Sequence, residues 1–314
     1  MKRILIIRFS ALGDVAMLVP VVQALAEQYP DIDITVLSQT RMADLFAGMP
    51  DHVHFHGVDT RQQSLREIVS GLGRFDAVAD MHGVWRSLVV RTVMRLRGAK
   101  VETIDKGRAD KRRLVHGLHS PLPHTTHRYT KVLERLGLPV DLAPTPLHQS
   151  GTGIGIAPFA AHEGKKYPLE QMEQAVARLS QCGEPVLLFG SADEAKQLEA
   201  WADRYAGVQS VAGLHTLKEE MELMRGLRVM VTMDSANMHL ASLVGTRVVS
   251  IWGATHPYAG FLGYGQDEHD CVQREIPCRP CSVYGDKKCR YGDYRCMNIP
   301  PETIVRKVNN ERQK

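Results

Sequence analysis

A chain of 314 residues, with 44% hydrophobic and 24% charged side chains, has a globular composition and is long enough for two domains, each with its own core. No window approaches the roughly 20 apolar residues of a membrane span, which excludes an integral membrane protein of the helical kind. The formal net charge is +4, and "MKR" runs straight into strand and helix patterns with no small-residue cleavage site, so the expected compartment is the cytoplasm.

The first element, "RILIIR", reads as a buried parallel strand, and "VAMLVPVVQALAEQY" repeats apolar residues at helical spacing. Asp14 falls at the turn between them, where open α/β sheets put their chemistry. A helix N-cap is one role for it and a catalytic carboxylate is another. A dinucleotide site does not fit, because "FSALGD" has one glycine where the phosphate-cradling fingerprint needs three.

Strands are then expected at "DITVLSQ", "AVADMHG" and "GAKVETIDK", with helical pieces at "ADLFAG", "RQQSLREIVSGLG" and "RSLVVRTVMRLRG". The helix "HRYTKVLERLG" leads to the proline-punctuated connector "LPVDLAPTPLHQSGTG". A second series comes after it, with strands "GIGIAPFA", "EPVLLFGS", "LRVMVTMD" and "RVVSIWGA" alternating with "PLEQMEQAVARLSQ", "ADEAKQLEAWADRY", "LKEEMELMRG" and "ANMHLASLVG". The expected architecture is α/β, with two facing Rossmann-like domains over residues 1–150 and 151–314 and a ligand cleft between them; the last helix is a candidate to pack back on the first domain.

Within the second series, Asp234 and Ser235 stand at a helix N-terminus whose first turns carry Ala236, Asn237 and His239. Free backbone N–H groups and small side chains there suit a diphosphate, although ordinary caps and a packed histidine would give the same pattern. Upstream, "AAHEGKKYP" offers Lys165 and Lys166, either of which could neutralise a departing phosphate, and either Asp193 or Glu194, after "LLFGSA", is placed to accept ribose hydroxyls.

Basic charge is concentrated in one region, since residues 86–135 hold thirteen Lys and Arg against four Asp and Glu. A solvated helix face, an anionic substrate and an anionic membrane all fit such a run. Nucleic acid fits least, because aromatic interleaving is missing. Cys278, Cys281, Cys289 and Cys296 follow a C-x2-C-x7-C-x6-C spacing that admits structural zinc. The central gap is short, however, and packed thiols are favoured over a metal site. No D-x-D motif of the kind that holds a divalent ion against a nucleotide-sugar stands at a strand end.

Taken in order, "RFSALGDV", "DMHGVWRS", "GKKYP", "MDSANMHLA", "WGATHP" and the cysteine-rich tail ending "CM" resemble the ADP-heptose:lipopolysaccharide heptosyltransferase family over nearly the whole chain. The resemblance implies an inverting glycosyltransferase of the GT-B architecture. Its acceptor would sit in the N-terminal domain and its nucleotide-sugar in the C-terminal one, with no metal and no other cofactor. Asp14 matches the family's catalytic aspartate, the general base on the acceptor hydroxyl. Lys165, Asp234, Ser235, Ala236 and His239 would hold the donor, with Glu194 favoured over Asp193 at the ribose. The family commonly has hydroxyl residues where this chain has Ala160 and Ala161.

Arg86 and Arg128 are the candidates for the acidic groups of a lipid A-core acceptor, ending in Kdo or heptose. The partners implied are an ADP-sugar and that lipid, with peripheral contact to the anionic inner membrane face. Alternatives are a sugar-nucleotide epimerase or hydrolase, another nucleotide-sugar, or a non-catalytic binder. The sequence leaves the oligomeric state open.

Overall fold

The computed structural model describes residues 1–117, 120–148 and 150–310; Gln149, inside the expected connector, lies outside them. The chain divides into two compact units, Met1–Lys106 with Thr125–Pro144, and Gly107–His124 with Thr145–Lys314. The sequence expectation of a first domain over 1–150 is therefore corrected in two places. The boundary lies at residue 144, and the segment 107–124 groups with the second unit. The cause is local: Lys111 stands 4.3 Å from the Phe261 ring centroid, and the Leu122 N–H donates to the Tyr258 carbonyl at 2.8 Å.

The first unit is built on β1 (Arg3–Ile7), β2 (Asp33–Gln39), β3 (Val53–Val58), β4 (Ala77–Asp80) and β5 (Lys100–Thr103), all parallel in the order β3-β2-β1-β4-β5. Ile4, Leu5, Ile6 and Ile7 are fully buried, as a central strand covered on both faces requires. Its helices are α1 (Leu12–Ala16), α2 (Val19–Gln28), α3 (Leu65–Ser70), α4 (Trp85–Leu96) and, after α5 (Arg108–Val115) of the second unit, α6 (Thr125–Leu136). The single helix expected after β1 is two. Pro20 has no N–H to give to a preceding turn and instead sits in the first turn of α2. In the stretch "ADLFAG" the first four residues close a 3-10 segment, Thr40–Phe46, rather than an α-helix, and Ala47 and Gly48 form a turn after it.

The second unit has β6 (Ile154–Ala157), β7 (Val186–Leu188), β8 (Val208–Ser210), β9 (Val229–Met233), β10 (Arg247–Trp252) and β11 (Cys271–Gln273), parallel in the order β11-β10-β9-β6-β7-β8. Around them run α7 (Leu169–Leu179), α8 (Ala195–Ala202), α9 (Leu217–Arg225), α10 (Ala236–Leu243) and α11 (Pro301–Asn309). The last helix does not leave this unit. α11 packs on α7, with Ile304 and Val308 in one apolar cluster with Met172 and Leu179. Among the described residues no helix is long and apolar enough to cross a membrane.

In a parallel sheet all carboxyl ends share one edge. Ile7, at the end of β1, is in register with Asp80 at the end of β4, so the loops leaving these two strands start side by side. Asp80 is fully buried and organises that edge. It accepts from the His82 and Gly83 N–H groups at 2.9 and 2.8 Å, from the Ser87 hydroxyl at 2.9 Å and from Arg91 Nη1 at 3.0 Å. These bonds tie the β4–α4 loop and the first turns of α4 to the sheet. Asp80→Ala, which leaves the His82 and Gly83 N–H groups without this acceptor and Ser87 and Arg91 with one partner fewer, is expected to cost about 3 to 5 kcal/mol, read as a lower urea midpoint; an unchanged midpoint contradicts the role given to Asp80.

Candidate functional site

Asp14 is not a helix N-cap. Ala11 holds that position, and Asp14 lies in the first turn of α1, reaching back so that Oδ2 accepts from the Ala11 N–H at 3.3 Å. The same oxygen forms a 2.6 Å ion pair with Arg8 Nη2. Among the described residues nothing bonds to Oδ1, and the side chain keeps about a quarter of its surface exposed. One oxygen is therefore fixed and the other is open to a proton.

Arg8 comes directly after β1 and is buried against Asp14, with Nη1 donating to the Met81 carbonyl at 2.7 Å. Burial opposes its charge, but Tyr129 and Asp14 beside it raise its pKa above the ordinary value despite that. The Tyr129 hydroxyl donates to the Asp14 carbonyl at 3.1 Å, and burial holds that phenol protonated far above its usual range. His82 accepts the Phe9 N–H on Nδ1 at 3.3 Å. Burial, helped by the Arg8 and Lys106 charges, pushes its imidazole down to about 3, so it is neutral near pH 7.

Arg86 and Arg128 belong to the same unit. Arg86 is in the first turn of α4, at the carboxyl edge, with its guanidinium 4.8 Å from the Trp85 ring centroid. Arg128 immediately precedes Tyr129 on α6, and its Nε and Nη2 are buried with no hydrogen-bond partner among the described residues. A guanidinium in that state favours an anionic ligand.

In the second unit, Asp234 and Ser235 join β9 to α10, and Ser235 is the N-cap in extended backbone. No side chain caps α10, because the Ser235 hydroxyl pairs instead with the Thr232 hydroxyl at 3.0 Å. Ala236 opens the helix without a bulky side chain, and His239 is buried one turn in. The first-turn N–H groups and the positive end of the helix dipole are thus available to a phosphate.

Lys165 and Asp234 prove to be partners, with Nζ 2.9 Å from Oδ2 and both side chains largely buried. An ammonium has three N–H bonds, so this pair leaves two for a ligand. Two glycines seat the lysine. Gly285 (φ +77°) passes beneath its stem, where a Cβ would come 2.7 Å from Lys165 Cγ, and at Gly164 a Cβ would come 2.8 Å from the Gly285 carbonyl.

Glu194 ends a short 3-10 turn before α8 and spends Oε2 on the Ser191 N–H at 2.7 Å, leaving Oε1; Asp193 beside it is exposed. The six cysteines are free thiols, with Cys296 in the core beside Met297. Among the described residues no group of three or more His, Cys, Asp or Glu is arranged to hold a metal ion.

Arg8 and Tyr129 are the site residues that sequence reasoning missed. The only signal for Arg8 was a cation closing an otherwise apolar strand, and Tyr129 lay unremarked in "HRYTKVLERLG".

The chain is 19% identical over 310 residues to lipooligosaccharide heptosyltransferase 2 of Campylobacter jejuni subsp. jejuni serotype O:6 (strain 81116 / NCTC 11828), covering 95% of each. Its fold matches a glycosyl transferase family 9 structure from Veillonella parvula DSM 2008, with a TM-score of 0.74 at 17% identity over 98% of this chain and 96% of that one. It also matches the E. coli ADP-heptose lps heptosyltransferase II, with a TM-score of 0.71 at 20% identity over 98% of each chain. The fold is the GT-B type expected from the sequence, with one Rossmann-like sheet in each unit. The sequence profile of glycosyltransferase family 9 (heptosyltransferase) matches residues 134–292, half of the chain, and the protein belongs to that family of transferases.

Proposed function

We propose that the protein transfers heptose from ADP-heptose, with inversion at the anomeric carbon, to a Kdo or heptose residue of the lipopolysaccharide inner core. The observation that carries this reading is Asp14, with one carboxylate oxygen fixed by Arg8 and the other open at the carboxyl edge of the first sheet. Relatives named for ADP-heptose and for lipooligosaccharide support the choice of donor and acceptor.

In this mechanism the acceptor hydroxyl donates to Asp14 Oδ1. As its oxygen attacks the anomeric carbon, the proton passes to the carboxylate and ADP departs from the opposite face. The Arg8 ion pair holds the carboxylate in one orientation, so the base needs no reorganisation during attack. Arg86 and Arg128 take the acidic groups of the acceptor.

The leaving diphosphate gathers negative charge as the bond breaks. The first-turn N–H groups at Ser235 and Ala236, with His239 and Lys165, meet that charge in place of a divalent ion. Asp234 holds Lys165 in position and faces the sugar, while Glu194 Oε1 is offered to the ribose. Ala160 and Ala161 give no hydroxyl bonds to phosphate, so the ammonium and the helix N-terminus carry the diphosphate. The acceptor lipid would be met at the cytoplasmic face of the inner membrane by peripheral contact.

Incubation of the purified protein with ADP-, UDP- and GDP-sugars and truncated lipopolysaccharide, with products read by mass spectrometry, tests the reading. A heptose added to the inner core from ADP-heptose alone is the expected product; nucleotide release without transfer points instead to a hydrolase. Lys165→Ala and His239→Ala should each weaken ADP-heptose binding roughly ten- to hundredfold while leaving acceptor affinity in place. Calorimetry showing equal losses for both ligands would contradict the division of roles.

A further inference from the structure

The helix α4 is amphipathic in an unusual sense. Ser87, Val90 and Met94 face the core of the first unit, as expected of a helix on a parallel sheet. Its outer face is also apolar. Trp85 is 60% exposed and Leu96 is 83% exposed, with Leu88 and Val89 between them. These positions recur at helical spacing, with the exposed Thr92 between Val89 and Leu96, and they span about 16 Å at a rise of ~1.5 Å per residue. A solvated helix places polar side chains at most such positions, and a cluster of large exposed apolar side chains on one helix face marks a contact surface.

The surrounding charge is mainly positive. α4 has no acidic residue, and its cations include Arg86 beside Trp85 and the exposed Arg95. Arg66 stands exposed on α3, the helix that packs against α4. The one carboxylate of α3, Glu67, is engaged by the Ser64 N–H and hydroxyl at the helix N-terminus. A tryptophan at the end of the stripe, leucines along it and arginines at its margins match the composition of helices that lie in a bilayer interface. The arginines match anionic headgroups, each worth about 1 kcal/mol close to such a surface.

We propose that the outer face of α4 is the surface by which the protein docks on an anionic phospholipid bilayer, with Trp85, Leu88, Val89 and Leu96 inserted at the boundary between headgroups and acyl chains and Arg95 and Arg66 at the headgroups. The role of the docked state rests on the lipid-borne acceptor proposed above. α4 opens at the carboxyl edge of the sheet that also presents Asp14, so a bilayer on this face delivers its lipids to the edge where the base stands.

The chain has three tryptophans, and Trp201 and Trp252 are buried, so Trp85 reports the docking. Full-length protein mixed with vesicles of phosphatidylglycerol and phosphatidylcholine should co-sediment with them and show a blue-shifted Trp85 emission, with little of either on phosphatidylcholine alone. The double variant Leu88→Ser, Leu96→Ser removes two exposed leucines without touching the core. It should partition roughly a hundredfold less, at about tenfold per leucine, and keep wild-type transfer to a lipid-free core oligosaccharide. Binding unaffected by the double variant, or no binding to anionic vesicles, overturns the proposal. So does a wild-type dimer in sedimentation velocity that the double variant dissociates, because the stripe would then cover a second copy. Transfer without vesicle binding leaves the function standing and removes the docking face; vesicle binding lost in the double variant, with no transfer to any acceptor, does the reverse.

Discussion

The arrangement around Asp14 depends on a cation buried at the end of a strand. Arg8 sits where the apolar run of β1 gives out, and it is held there by two contacts, Nη1 to the Met81 carbonyl and Nη2 to Asp14, while its Nε is buried without a hydrogen-bond partner among the described residues. Burying a guanidinium is costly unless its charge is met, so the position of Asp14 is set by the requirement that Arg8 imposes. Tyr129 reaches the backbone of Asp14 from α6 and closes the other side. A carboxylate on a short, exposed first turn would otherwise sample several rotamers. Here one oxygen has a fixed partner, and that partner sets the direction of the second.

The second unit solves a related problem with opposite charge. Asp234 is buried at the end of β9 and is met by Lys165, which Gly285 and Gly164 allow to lie close to the backbone. In both units the ion pair stands at the carboxyl edge of a parallel sheet, where loops are free to vary while the strands fix their ends. The chemistry differs because of what each pair leaves unused: an open carboxylate oxygen in the first unit, and ammonium N–H bonds beside an uncapped helix N-terminus in the second. The first suits proton acceptance and the second suits a departing diphosphate.

Much of this was legible in the sequence, for identifiable reasons. The turn carrying Asp14 and the loop 233–241 lie between strong periodic elements, so the change of period alone places them at strand ends. What escaped has equally physical causes. β3, "VHFHGV", is a half-exposed edge strand with histidines in alternation, and β8 and β11 are three residues long, too short for any pattern. Helix α5 is rich in charge, with only Lys111 and Leu114 buried, and its grouping with the second unit depends on contacts far along the chain. Pairings such as Arg8 with Asp14 and Lys165 with Asp234 are set by backbone geometry, and nothing in the sequence around one partner names the other.

The coupling of Arg8 to Asp14 is the claim on which the catalytic account turns, and a double-mutant cycle on turnover measures it most directly. Arg8→Met, Asp14→Asn and the combined variant would be compared in heptose transfer, with ADP-heptose binding measured alongside to show that the donor site is intact. If Arg8 works through Asp14, both single variants lose kcat, Asp14→Asn by roughly a hundredfold or more, and the combined variant is no slower than Asp14→Asn alone. Losses that multiply, or an Asp14→Asn enzyme that transfers at the wild-type rate, would contradict the account.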